Sequence, residues 1–201
     1  MTAKVIPFHY EQKDSERLSD EAVALACASA DPAAVSELFR RYHEAVSRYL
    51  SRLVRDPADV EDLLQATFLE IARGKAQYCA RSKVQTWLLG IATNVTRIYW
   101  RTAKQRKKLE HALTLVHSNH YFDSAHSVLE SQATLERARY LLENLPDGQR
   151  EAFVLCEIEG LTAREAAETL LISEEAVWKR VSNARQTIVR LVTRRGNNGV
   201  L

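Results

Sequence analysis

The sequence predicts an all-α protein built as two small helical domains joined by a flexible linker. Three observations predict it. Glycine and proline are scarce, six and four in 201 residues, so little interrupts long runs of helix-forming residues. Apolar residues recur at three- and four-residue steps, and no strand-like alternation is sustained. Between residues 109 and 129 that period is lost, and His111, His117, His120 and His126 gather among Ser118, Asn119, Asp123 and Ser124, the composition of a linker.

Residues 1–19 are polar and aperiodic and are read as a flexible lead-in, with order beginning near Ser19. Asp31-Pro32 and Asp56-Pro57 each pair an N-cap with a proline suited to the first helical position, which marks two helix starts. The first helix should run to about Leu53, with Val35, Leu38, Phe39, Tyr42, Val46, Tyr49, Leu50 and Leu53 as its apolar stripe. In the second, Val60, Leu63, Leu64, Thr67, Phe68 and Ile71 form the stripe, while Asp59, Glu61, Asp62 and Glu70 make it acidic. A third helix is expected over 84–108. It opens on the apolar Val84-Gln85-Thr86-Trp87-Leu88-Leu89 and ends on Arg97 to Lys108, with six basic residues and no acidic one.

After the linker, Pro146-Asp147-Gly148 reads as an internal turn and helices lie on either side of Gly160. A last amphipathic helix spans about Glu174 to Arg194, before a mobile tail at 196–201. Residues 149–185 therefore scan as helix, break, helix, short turn at Leu171-Ile172-Ser173, helix, which is the helix-turn-helix pattern. Thr162 with Glu165 forms a capping box, and Ser173 before Glu174 and Glu175 caps the last helix and suits its dipole.

Charge narrows the function. The totals nearly cancel, 28 Lys+Arg against 26 Asp+Glu for a net +2, so any nucleic-acid role depends on where the charges sit. On the last helix Lys179, Arg180, Arg185, Arg190, Arg194 and Arg195 lie beside a buried stripe of Val177, Val181, Ala184, Ile188 and Leu191. Such a helix can enter a major groove and neutralise phosphates, although a solvated basic face has the same composition. On the third helix Trp87, Tyr99 and Trp100 interleave with Arg97, Arg101 and Lys104, a mixture suited to single-stranded DNA because rings stack on unpaired bases while cations follow phosphates. Trp87, next to Leu88 and Leu89, also suits the core. The acidic second helix suits a protein partner with a basic surface.

Several phrases then stand in a telling order. Asp31-Pro32-Ala33-Ala34, Leu38-Phe39-Arg40-Arg41-Tyr42 and Asp59 through Phe68 are followed by Thr86-Trp87-Leu88-Leu89-Gly90-Ile91-Ala92-Thr93-Asn94 and Tyr99-Trp100-Arg101. Leu145-Pro146, Gln149 to Phe153, Glu159-Gly160-Leu161-Thr162, Glu165-Ala166-Ala167 and Val177 to Arg185 complete the series. Together, over most of residues 20–192, they resemble the extracytoplasmic-function (ECF) branch of the sigma-70 family of transcription initiation factors. The resemblance implies a sigma region 2 domain at 20–108, a linker at 109–129 and a region 4 helix-turn-helix domain at 130–195. It implies core RNA polymerase and promoter DNA as partners, an anti-sigma protein as regulator, no enzyme activity, no cofactor, and a cytoplasmic protein without membrane insertion.

By position, the resemblance places Asp59, Glu61, Asp62, Gln65 and Phe68 against the polymerase clamp helices. Trp87, Asn94, Arg97, Trp100 and Arg101 fall at the minus-10 element, with the loop near 77–85 holding an extruded base. Glu175, Trp178, Lys179 and Arg180 fall at the minus-35 groove and Arg185 on phosphate. The recognition helix departs from the family's usual Gly-Thr-Val-Lys-Ser-Arg, reading Glu175-Ala176-Val177-Trp178-Lys179-Arg180. Ile98 stands where relatives commonly carry an acidic residue.

Other function classes find less support. An autonomous helix-turn-helix regulator has no need of an acidic helix followed by an aromatic-basic one. No phosphate-cradling glycine loop, HExxH pair or nucleophile-base set points to an enzyme. Cys27, Cys79 and Cys156 are odd in number and widely spaced, which suits reduced thiols, and His117 with His120 lacks further ligands for a metal site. No apolar run is long enough to span a bilayer, and the N-terminus, with His9, Glu11 and Asp14, lacks a signal-peptide core. A linker of roughly 20 residues can reach tens of ångströms, enough to let two DNA-reading modules act at separate elements.

Overall fold

The computed structural model describes residues 18–29, 31–113 and 130–197. Among these the regular structure is entirely helical. Helix α1 (Asp20–Ala26) begins where Ser19 Oγ accepts from the Ala22 amide at 3.2 Å, and a 3₁₀ turn, Cys27–Ser29, follows it. Helices α2 (Pro32–Leu53) and α3 (Pro57–Ala72) start as the two Asp-Pro pairs require. Asp31 accepts from Ala33 N at 3.0 Å and Asp56 from Ala58 N at 2.9 Å, with proline opening each helix.

Helix α4 (Val84–Leu113) packs across α2 and α3. Leu38, Leu50, Leu53, Ile71, Leu88 and Leu89 meet there with almost no exposed surface. Each stabilises the fold by roughly 1.5–3 kcal/mol relative to exposure, and Leu50→Ala should cost about 2–5 kcal/mol once the cavity is counted. A fully buried polar bond crosses this core, between the Tyr49 hydroxyl and Thr93 Oγ1 at 2.6 Å. Thr93 gives its own proton to the Leu89 carbonyl at 2.7 Å, so Tyr49 is the donor in that bond. Burial raises the pKa of the Tyr49 phenol.

The second half comprises α5 (Glu130–Glu143), α6 (Asp147–Phe153), a π-helical turn at Val154–Ile158, α7 (Ala163–Leu170) and α8 (Glu174–Asn197). Gly160, at φ +73°, makes the break that the sequence marks. The capping box is complete: Thr162 Oγ1 accepts from Glu165 N at 3.2 Å, and Glu165 Oε2 accepts from Thr162 N at 2.8 Å. Leu171 takes the left-handed conformation at φ 56° to stop α7, and Ser173 Oγ receives Ala176 N at 3.2 Å to start α8.

Three expectations are corrected. Pro146-Asp147-Gly148 is the start of α6 rather than a turn, with Pro146 at the N-cap. Helix α4 continues to Leu113, past the expected end at 108, because its helix-forming residues persist after the apolar stripe is lost. Helix α8 takes in Gly196 and Asn197, which were expected to begin the tail; the rest of the tail lies outside the described residues.

The two halves also pack directly on each other, chiefly α7 against α4. The seam is close at Gly90, where a Cβ would stand 3.7 Å from the Thr169 methyl, an ordinary van der Waals contact.

Candidate nucleic-acid interface

Four side chains of α3 sit at steps that put them on one face. Glu61, Asp62, Gln65 and Leu69 are all exposed, Leu69 at 47%. Glu61 and Asp62 take part in none of the ion pairs among the described residues. Asp59, one turn earlier, is half-buried and accepts from the Tyr99 hydroxyl of α4. Phe68 lies inside, 6% exposed, edge-on to Phe39 with ring centroids 4.9 Å apart. The aromatic that reaches the surface is Phe39, 40% exposed and stacked on His43 at 5.1 Å. Phe39 and Leu69 are thus parts of this face that sequence reasoning missed: Phe39 fits the apolar stripe of its helix and Leu69 lies off that of α3, and only packing shows that both stay open.

On α4 the expected DNA-facing residues divide. Asn94 and Arg101 are exposed. Trp87 packs against the core, 5.3 Å from the Tyr78 ring, and Tyr78 in turn donates to the Ser82 carbonyl at 2.6 Å, which fixes the loop before α4. Thr96 is fully buried and donates to the Ala92 carbonyl, whereas Ile98 is 61% exposed. Arg97 and Trp100 turn toward the second half. Arg97 grips Glu151 with two hydrogen bonds of 2.7 Å and donates to the Leu170 carbonyl at 3.2 Å. The Glu151 carboxylate raises the pKa of the Arg97 guanidinium, against the effect of burial.

Arg150 lies over Trp100, its guanidinium carbon 5.3 Å from the ring centroid. The same guanidinium donates to the carbonyls of Leu53, Leu142, Glu143 and Leu145, joining the C-terminal ends of α2 and α5. Burial lowers its pKa. Neither Arg150 nor Glu151 stood out in the sequence as a site residue. The available signal was an Arg-Glu pair immediately before the apolar run Ala152-Phe153-Val154-Leu155.

On α8, Val177, Val181 and Ala184 are buried, so Glu175, Trp178 and Lys179 face outward, Trp178 at 58% exposure. Arg185 bonds Glu157 at 2.6 Å. Arg180 folds back over Gly148, where a Cβ would stand 3.1 Å from its Nη1. Arg97, Trp100, Arg101, Lys104 and Arg180 consequently line one cleft of about 490 Å³ between the halves. Its cations outnumber Asp147 and Glu151, so the arrangement favours a polyanion, with Trp100 offering a ring at the wall. The side chains of Lys107, Lys108, Arg194 and Arg195 lie outside the described residues, as do His117 and His120. Among the described residues, no helix is long and apolar enough to cross a membrane, and no group of three or more His, Cys, Asp and Glu side chains is placed to hold a metal ion.

Comparison with known proteins agrees with this division. The family model described as Sigma-70 region 2 matches residues 38–106, and that described as Sigma-70, region 4 matches residues 135–188. The chain is 31% identical over 173 residues to the RNA polymerase sigma factor CarQ of Myxococcus xanthus, covering 79% of this chain and 89% of that one. It is 28% identical over 184 residues to the ECF RNA polymerase sigma-E factor of Haemophilus influenzae, covering 87% and 95%. Among solved structures, CnrH in complex with the cytosolic domain of CnrY superposes with a TM-score of 0.63 at 25% identity, covering 87% of this chain and 97% of that one.

Proposed function

The chain belongs to the sigma-70 family, in its extracytoplasmic-function branch, and from that premise we propose which surfaces bind core RNA polymerase and which read the promoter. The exposed acidic face of α3, Glu61, Asp62 and Gln65 with Phe39 and Leu69 beside it, docks on the polymerase. Asp59 and Phe68 shape that face from behind through Tyr99 and Phe39. Negative charge over an apolar edge supports this reading, since the charge steers association and the edge supplies buried area.

Asn94, Arg97, Trp100 and Arg101 of α4 meet the opened minus-10 strand, while Trp87 holds the preceding loop through Tyr78. In the second half Glu175, Trp178, Lys179 and Arg180 meet the minus-35 major groove, and Arg185 reaches phosphate. Region 2 is assigned to 20–108 and region 4 to 130–195. The single observation that carries the proposal is the union, in one chain, of an acidic docking helix, an aromatic-basic helix and a fully capped helix-turn-helix. The protein initiates transcription of a specific regulon and performs no catalysis of its own. CnrH is bound by the cytosolic domain of CnrY, and we extend that kind of control, by an anti-sigma protein, to this chain.

Native gel shift with purified bacterial core RNA polymerase tests the docking assignment. A stoichiometric complex is expected. Absence of any complex at micromolar concentrations would return the chain to the class of autonomous duplex binders.

A further inference from the structure

We propose that Trp178 and Glu175 set the base preference of α8: the indole packs on a thymine methyl, and the carboxylate accepts from a cytosine amino group on a neighbouring base pair of the minus-35 element. The inference rests on the minus-35 role proposed above for α8 and adds which bases two of its side chains select.

Val177, Val181 and Ala184 turn one face of α8 into the core. On the opposite face Glu175, Trp178, Lys179 and Ser182 follow at three- and four-residue steps, and all four are exposed. Trp178 belongs neither to the buried core nor to the residues packed on it, and it has no ring partner among the described residues. An aromatic surface of that size is normally covered, which marks it for a ligand. Glu175 and Lys179 take part in none of the ion pairs among the described residues. Nor does the helix start depend on Glu175, because Ser173 Oγ receives the Ala176 amide and Glu174 supplies negative charge in the first turn.

Base edges in the major groove offer these two side chains different partners. A carboxylate brought there is repelled by the phosphates and is favourable only where it accepts a hydrogen bond. The donors in that groove are the cytosine N4 and adenine N6 amino groups. The N7 acceptor beside the adenine amino group repels the second carboxylate oxygen, which leaves cytosine. An indole accepts no hydrogen bond and its ring is apolar, and the apolar group in that groove is the thymine C5 methyl. A separation of three residues is about 4.5 Å along the helix axis, against about 3.4 Å between base pairs, so the two contacts fall on neighbouring pairs. Lys179, exposed beside them, supplies a cation that offsets the carboxylate near the phosphates. Glu175 and Trp178 stand where the family's usual phrase has Gly and Lys, so this preference belongs to the chain's own side chains.

The test is selection of sequence-randomised duplexes by the complex of the full chain with core RNA polymerase. The native complex is expected to enrich an upstream element holding a cytosine and a thymine on neighbouring pairs. Glu175→Gln should move the preference at the cytosine pair to adenine by about tenfold, because an amide both accepts and donates. Trp178→Ala should lose the thymine preference and keep those at other positions. Deoxyuridine in place of that thymine removes only the methyl. It should weaken the native complex about fourfold, the worth of one buried methylene-sized group, and leave the Trp178→Ala complex unchanged. Both side chains are exposed, so the two variants should keep the native thermal midpoint. An enriched element without that pair, base preferences that survive both substitutions, affinity lost evenly across all sequences, or indifference of the native complex to deoxyuridine overturns the proposal. If the native complex enriches no upstream element at all, the minus-35 reading fails and takes the proposal with it, and that outcome is separable because no variant is involved.

Discussion

The Tyr99 hydroxyl donates a 2.5 Å hydrogen bond to Asp59 Oδ2 and so ties the first turn of α3 to the middle of α4. Helices α3 and α4 thereby hold a fixed register. Burial, then the carboxylate beside it, pushes the Tyr99 phenol up to about 12. Tyr99→Phe should therefore cost about 1 kcal/mol, read as a lower thermal midpoint. The variant should also lack the tyrosine that ionises near 12 in an alkaline absorbance titration.

Asp62→Arg reverses charge on the exposed face of α3 while leaving the core intact. It should lower affinity for core polymerase by tenfold or more, a loss of roughly 1.4 kcal/mol, without moving the thermal midpoint. Phe68→Ala makes a useful contrast, because its ring is buried against Phe39. That variant should lose roughly 3–5 kcal/mol of stability along with its binding. Competition binding and thermal melts on the same samples distinguish the two.

Arg180 sits over Gly148 in the lining of the shared cleft. Arg180→Ala should weaken the promoter complex by about 1–3 kcal/mol if the side chain reads a base edge. If it touches phosphate instead, the salt slope of binding should fall by roughly one unit. Affinity measured at several salt concentrations decides between these roles, and no change in either quantity removes Arg180 from the interface.

Near the N-terminal end of the described fold, Arg40 and then Arg41 hold the Glu37 carboxyl down to about 2, and Tyr42 and then Arg41 lower Asp20. Both groups are depressed below their unfolded values. The stabilising contribution of Glu37 is therefore complete above the ordinary carboxylate range near 4.5 and is lost as pH falls through about 2. Solvent screening keeps it small. The difference in thermal midpoint between the native chain and Glu37→Gln should be present at neutral pH, shrink through the acid range and vanish near pH 2.

The helix starts were legible because capping is local. Asp31-Pro32, Asp56-Pro57, Thr162 with Glu165, and Ser173 each declare a helix with side chains two or three residues from the amides they satisfy, whereas the Ser19 cap of α1 was not read as a helix start. The π-helical turn at Val154–Ile158 was not legible, since five residues are too few for its period to be told from 3.6. Asp147-Gly148 carries turn composition, yet Pro146 at the N-cap makes it a helix start. The acidic and basic faces were visible from spacing alone. What the sequence withheld was which of those residues face each other: Arg97 and Glu151 are 54 positions apart, and only tertiary packing pairs them.

The sigma assignment is tested most directly by transcription reconstituted from the purified chain, core RNA polymerase and a library of bacterial upstream fragments. Start sites that require both proteins, and share paired elements near minus-35 and minus-10, are the predicted result. Tight duplex binding by the chain alone, with no start site dependent on it, would contradict the assignment and with it the roles given to Glu61, Asp62 and Arg97.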